Sequence, residues 1–408
     1  MSGPLEGVKV LECGIWMQAP YTTRILGDLG ADVIKVEDRI SGDPMRGVLK
    51  MQPTSSCEGA HNLERLSDIE IHNRNKRSIA LDLRKDEGRG IIYRLIQKMD
   101  VFVHNFRLGV VEKLGIDYET LSRYNSNLIY AHASGFGMKG PAKNQPSFEH
   151  TVMARSGWLY HFGGPDMPPL MFRPGIGDDL VGVYVAFAIS AALFYRERTG
   201  VGQYIDVSAL GSMVAAASNT INWRLIYGVE YPRRDTKNTT NPLNSLFKCS
   251  DGKWIYLTMM QTDRYWHDLC KVMGIEELEH DPKFCNHQAR ADNSLELTAI
   301  FDRTFNSKSR DEWVKLLEEG GDFIFSAVNS VSDLLTDPQV LENDYITEYE
   351  HPSFGITKTI GFPYKFSKTP ASIEKAPPEH GEHTEEILQE IGYTWEDIIG
   401  LKQSEVII

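Results

Sequence analysis

From Val8 to Ser134, short apolar runs alternate with helix-period segments, and this alternation limits the folds open to the chain. "VKVLEC", "ADVIKVE", "RSIALDL", "DVFVHNF" and "NLIYAHAS" have strand length, and "PYTTRILGDLG", "DEGRGIIYRLIQKM" and "VVEKLG" separate them with helical spacing. Short apolar strands joined through helices make a mostly parallel sheet covered on both faces. An apolar helix over 179–197, the strand "QYIDVSAL" and a long helix from about Gly211 to Tyr227 continue the pattern. At 228–245 the chain turns polar, "GVEYPRRDTKNTTNPLNS", and reads as a linker. "DGKWIYLTMM", "YWHDLCKVMG" and "RDEWVKLLEEGG" then suggest a small α/β lobe to about 325, and a Pro-rich tail leads into a helix beginning near Thr384. The expected division is 1–227, 228–325 and 326–408.

Charge and cysteine usage narrow the function. A net charge of −13 over 408 residues repels polyphosphate, so nucleic acid is not an expected partner. "MSGPLEGVKVLE" lacks the basic and apolar regions of a signal peptide. The run Leu180 to Phe194 falls short of the ~20 residues that span a bilayer, so no membrane partner is expected. Cys13, Cys57, Cys249, Cys270 and Cys285 are scattered and form no CxxC, which fits a reducing cytoplasm. His380 and His383 in "HGEH" have no further ligands at metal spacing, so no metal site is expected.

One motif suggests a nicotinamide enzyme and fails on context. Gly135, Gly137 and Gly140 in "ASGFGMKG" spell GxGxxG after a strand. The following "PAKNQPSFEH" is a Pro-interrupted loop that cannot open the helix a dinucleotide turn requires. Glycines at the C-terminal end of a parallel strand still suggest a backbone that a ligand approaches closely.

Longer stretches carry a specific resemblance. "PLEGVKVLE…LGDLGADVIKVE", "NKRSIALDL", "DVFVHNFRLGVVEKLGIDYETL", "GIGDDLVGVYVAFAISAALFYRERTGVGQYIDVSAL" and "APPEHGEHTEEILQEIG" occur in the order and spacing of the class III CoA-transferases. That is the family of formyl-CoA transferase, carnitine CoA-transferase and the acyl-CoA racemases, and the chain resembles it throughout, loosely only at 228–330. The resemblance implies an α/β fold with a Rossmann-like, parallel-sheet large domain built from both chain ends. It also implies a smaller α/β domain between them and two ring-shaped subunits interlocked as a dimer, either identical or homologous. CoA is then a co-substrate, with no tightly bound cofactor.

Site residues follow residue by residue. The family's nucleophilic aspartate, with a glycine four residues later, corresponds to Asp178 and Gly182 in "GDDLVG". A carboxylate at a helix N-terminus meets the positive dipole end, which favours the ionised form. From the residues alone, Asp178 or Asp179 reads first as an N-cap, and it is the resemblance that makes Asp178 the nucleophile. Small residues Gly182, Ala186 and Ala188 suit close packing of that helix. The resemblance gives CoA contacts to Gln18, Arg39, Leu81, Asp82, Leu83, Arg84, Asn105, Phe106, Arg107 and Lys113, with Lys76 and Arg77 adding local positive charge. It places Met17, Val48, Phe148 and Glu149 around the acyl group.

Departures bear on the substrate. The racemase branch has a catalytic histidine where Phe148 stands, so that alternative loses half of its proton-transfer pair although Asp166 matches the other half. His150 is one residue off. The glycine-rich closing loop of formyl-CoA transferases is replaced near 236–247 by "NTTNPLNSLF", and Val48 stands where those enzymes carry a bulky aromatic. These features point away from formate and oxalate. They suggest transfer from a donor such as succinyl-CoA to a mid-sized, aromatic or branched dicarboxylic acid, with Arg46, Arg155 or Arg173 anchoring a second carboxylate. A non-catalytic CoA-binding subunit is the other alternative, and an intact Asp178 argues against it.

Overall fold

The computed structural model describes residues 3–47, 67–171, 175–233, 235 and 239–408. Val48, Arg173 and residues 236–238 of the expected closing-loop segment 236–247 lie outside them. The chain divides into two compact units, one of Met1–Leu159, Met171–Val229 and Glu342–Ile408, the other of Tyr160–Leu170 and Glu230–Leu341.

The first unit is built on six parallel strands: β1 (Lys9–Cys13), β2 (Asp32–Asp38), β3 (Lys76–Leu81), β4 (Val101–His104), β5 (Ile129–Ser134) and β6 (Tyr204–Ser208). Their order is β3-β2-β1-β4-β5-β6. This is the doubly wound order, with its topological switch between β1 and β4. Alternate side chains divide the strands between two cores. Leu11, Ile34, Ile79, Phe102 and Tyr130 pack on one face under the Asp86–Ile96, Thr384–Glu390 and Trp395–Gln403 helices. Val10, Val33, Val103 and Ala131 pack on the other against the Gln18–Asp28, Ile176–Thr199 and Ala209–Ala216 helices.

The apolar helix runs from Ile176 to Thr199, longer than the 179–197 expected, and is long and apolar enough to cross a membrane. One side of it, Val181, Val185, Ile189 and Ala192, is buried in the unit's own core. The helix expected over 211–227 is two helices, because the chain leaves helical geometry at Ala217 (φ −88°, ψ 14°). The C-terminal segment closes the β3 edge: the Asp82 N–H donates to the Val406 carbonyl, and Leu81 bridges Ile407.

The second unit holds a three-stranded antiparallel sheet, Leu246–Lys248, Trp254–Leu257 and Phe325–Val328. Phe247, Phe301, Phe305 and Trp313 fill its core. Its boundaries differ from the expected 228–325. The strand Phe325–Val328 pairs with Trp254–Leu257, which keeps the chain in this unit as far as Leu341, and residues 160–170 join it from upstream.

Candidate active site

Helix packing brings two distant helix starts together. Gly182 lies one turn beyond Asp178, and a Cβ there would stand 2.9 Å from Tyr21 Cδ1 and 3.2 Å from the Gln18 carbonyl oxygen. The Thr22 hydroxyl donates to the Gly182 carbonyl at 3.3 Å. Only a glycine permits this approach, and it sets the Gln18–Asp28 helix against the first turns of Ile176–Thr199. The Gln18 amide Nε2 consequently donates to Asp178 Oδ1 at 2.6 Å. Asp179 faces elsewhere, 3.1 Å from His72 Nε2.

The start of the Asp178 helix is capped from outside. Gly175 sits at φ 121°, a backbone region closed to most L residues, and has no side chain to cap the orphan N–H groups. Glu149 caps them instead: Oε2 accepts the Gly175 N–H at 2.7 Å, and Oε1 accepts the Gly177 N–H. Glu149 is buried with both oxygens engaged on the helix start that carries Asp178, and it is not among the residues that line the cavity beside Asp178.

Asp178 shares a cavity of about 240 Å³ with Met17, Gln18, Asn105, Phe106, Arg107 and Phe148, all named from the sequence. The loops leaving β1 and β4 form one wall, at the switch point where doubly wound sheets bind ligands. Ile15, Trp16, His132, Ser134, Phe136 and Lys143 are among the other lining residues and carried no sequence signal of their own. Gly135 lines it too, so part of the GxGxxG loop reaches the ligand space. A Cβ on Gly135 would fall 2.1 Å from Ser147 Oγ. Phe148 is largely exposed and packs edge-on against Trp16 with centroids 5.8 Å apart.

Burial pushes the Asp178 carboxyl up to about 6, helped by the neighbouring Glu149 and Asp179 charges, while the Gln18 hydrogen bond opposes the shift. The expectation that the helix start holds it well ionised is therefore modified: desolvation is the largest influence. At neutral pH a carboxyl of this kind is mostly ionised yet poorly hydrated, a favourable state for a nucleophile.

Several expected CoA contacts are otherwise engaged. The Leu81 side chain is in the core and its carbonyl accepts the Arg39 N–H. Asp82 holds Arg84 through Nε at 2.7 Å and Nη2 at 2.9 Å, and the Arg84 side chain remains largely exposed. Leu83 is half-buried against the core, Arg39 stands 3.7 Å from Glu405, and Lys113 is exposed on the short Val110–Leu114 helix. Asn105 spends its amide on Ile15, accepting the N–H at 3.0 Å and donating to the carbonyl at 2.7 Å.

Lys76 and Arg77 point inward. Lys76 is buried on Glu12, and Arg77 is tied to Asp32, Glu386 and Glu390, so neither adds surface charge for CoA. Arg46 is held by both oxygens of Glu37, and Arg155 stands over Phe136 and bonds Gln145. Arg107 and Lys143 are the cations that line the cavity among the described residues. His380 and His383 bond main-chain groups of Asp38 and Ser78.

Comparison with known proteins agrees with this geometry. A family model described as CoA-transferase family III matches residues 5–384. The chain is 32% identical to (R)-2-hydroxy-4-methylpentanoate CoA-transferase of Clostridioides difficile, over 99% of each chain. It is also 32% identical to mouse succinyl-CoA:glutarate CoA-transferase, over 95% of this chain and 86% of that one. Among solved structures, a CAIB/BAIF family protein from Brucella suis superposes with a TM-score of 0.84 at 29% identity, covering 96% of this chain and all of that one.

Proposed function

The chain belongs to CoA-transferase family III, and from that premise we propose that it moves CoA from succinyl-CoA to a mid-sized, branched or aromatic dicarboxylic acid through a covalent intermediate on Asp178. The observation that carries the reading is the pairing of a desolvated Asp178 with the Gln18 amide at 2.6 Å inside the switch-point cavity.

In the first half-reaction an Asp178 carboxylate oxygen attacks the donor thioester carbonyl. The C–S bond breaks, giving a mixed anhydride and CoA thiolate. The thiolate then attacks the aspartyl carbonyl, releasing the donor acid as its carboxylate and leaving an aspartyl-CoA thioester. The acceptor carboxylate attacks that thioester and expels the thiolate, which attacks the acceptor acyl carbonyl and restores Asp178. No net proton is consumed. The Gln18 amide stabilises the oxyanion that forms on Asp178 at each aspartyl addition. Water must be kept from the anhydride, and the Trp16–Phe148 ring pair supplies apolar cover beside the cavity.

Relatives that act on 2-hydroxy-4-methylpentanoate and on glutarate support an acid of this size. Arg107 and Lys143 suit a second carboxylate or the phosphates of CoA. Exposed Phe187, Phe194, Leu225 and Ile226 offer apolar surface to a second subunit, in keeping with an interlocked dimer, homomeric or heteromeric, in the cytoplasm. The test is incubation with succinyl-CoA followed by hydroxylamine, with peptide mass spectrometry. Modification confined to Asp178, and loss of turnover in Asp178→Ala, are expected. A fully active Asp178→Ala refutes the mechanism. A panel of carboxylic acids against succinyl-CoA and acetyl-CoA identifies the acid pair, and native mass spectrometry reads the assembly.

A further inference from the structure

Charged side chains are costly inside a sheet, yet Glu12 on β1, Lys35 on β2, Lys76 on β3 and Asp43 are all almost completely buried. Glu12 and Lys35 are register partners on adjacent strands. Lys35 Nζ donates to Glu12 Oε1 at 2.7 Å and lies 2.9 Å from Asp43 Oδ2. Lys76 Nζ donates to Glu12 Oε2 at 2.8 Å. The two cations balance the two anions.

What the network does beyond neutralising itself is hold one turn. Lys35 donates to the Gly14 carbonyl at 3.1 Å and Lys76 to the Pro20 carbonyl at 2.8 Å. Asp43 Oδ1 accepts the Trp16 N–H at 3.1 Å, and Asn105 clamps the intervening Ile15 as described above. Trp16 itself sits at φ 64°, a left-handed conformation that a bulky residue adopts only when its surroundings impose it. Met17 and Gln18 follow directly.

We propose that Asp43, backed by Lys35, is a positioning residue for CoA transfer: by holding the Trp16 N–H it fixes the strained turn that aims the Gln18 amide at Asp178. The proposal rests on the reading of Asp178 as nucleophile with Gln18 as its donor. If Asp43 loses its side-chain oxygens, Trp16 is free to relax toward ordinary φ, and the peptide planes leading into Gln18 rotate with it. An arrangement that depends on one amide at 2.6 Å does not survive that rotation.

A double-mutant cycle of Asp43→Ala and Gln18→Ala tests it, using the best donor and acceptor from the acid panel. Asp43→Ala is expected to lower kcat at least ~10-fold with the acyl-CoA KM changed less than ~3-fold, and to lower kcat less than ~3-fold when Gln18 is already alanine. Asp43→Asn, which keeps the Oδ1 acceptor for the Trp16 N–H but sets an NH2 against Lys35 Nζ, is expected to recover part of kcat. Asp43→Ser, too short to span Trp16 and Lys35 together, takes the alanine variant's place if that protein does not fold. Losses that multiply across the two sites, or a folded Asp43→Ala with kcat within about twofold of the parent, overturn the proposal. Multiplying losses beside an inactive Asp178→Ala refute the positioning role alone, whereas an active Asp178→Ala refutes the nucleophile.

Discussion

Gln18 Nε2 lies 2.6 Å from Asp178 Oδ1, although 160 positions separate the two residues in the chain. The amide favours the ionised carboxyl, and Gln18→Ala removes the largest influence opposing the upward shift at Asp178. The variant is expected to lose roughly 10- to 100-fold in kcat, as for a missing oxyanion donor, and to move the acid limb of kcat/KM to higher pH. A pH–rate profile of both proteins checks this, and an unmoved limb contradicts it.

The same carboxyl links catalysis to stability. The folded-state value near 6 is above the ordinary 3.8, so the folded protein holds this proton more tightly than the unfolded chain. The protonated form's advantage is complete below about pH 3.8. It diminishes as pH rises through 6, beyond which the folded state carries the whole cost of a buried charge. Asp178→Asn should therefore be inactive yet more stable than the parent at pH 8, by on the order of 1–2 kcal/mol, with no such gain near pH 3.5. Denaturant midpoints at the two pH values decide it.

Glu149 supplies a third expectation. Glu149→Gln leaves one oxygen to accept two N–H groups and turns an NH2 toward a donor. The first turn carrying Asp178 should loosen, with kcat falling at least ~10-fold while the KM for CoA esters stays within ~3-fold. Hydrogen exchange at the Gly177 amide should quicken. Unchanged exchange with full activity would show the brace to be dispensable.

Lys113 and Arg77 should separate binding from stability. Lys113→Ala, at an exposed cation after β4, is expected to raise the KM for CoA esters and spare kcat. Arg77→Ala strands Asp32, Glu386 and Glu390 around a buried site and should cost about 1–3 kcal/mol, discounted for partners that are partly exposed. Its KM should not change. Thermal melts and steady-state kinetics on both variants read the contrast.

The residues that were legible in advance were those whose chemistry is local. Strands with near-continuous apolar runs declared themselves, and Gly182 after Asp178 marked the close helix approach. The break at Ala217 did not, because no Pro or Gly marks it. The antiparallel pair Ile346–His351 and Gly355–Ile360 was hidden within a polar stretch. Lys76 and Arg77 misled because a basic pair beside a strand looks solvent-facing until its partners are known, and those partners, Glu12 on β1 and Glu386 and Glu390 on a late helix, are remote in sequence. Glu149 was recognised as an acid of the site, but its task of capping Gly175 and Gly177 depends on a tertiary contact that no spacing encodes. Trp16 gave no warning of its positive φ.

The closure of the β3 edge by the C-terminal segment has a consequence for biosynthesis. Thr384 Oγ1 accepts the Ala80 N–H from 304 positions downstream, and Val406 and Ile407 pair with Asp82 and Leu81. On the ribosome, β3 must wait with that flank uncovered until residues 384–407 have emerged. The second unit, contiguous from Glu230 to Leu341 apart from residues 160–170, can meanwhile assemble during translation. A nascent chain stalled before Thr384 would leave the Ile79–Leu81 end of β3 uncovered, so closure of this edge waits on the segment 384–407.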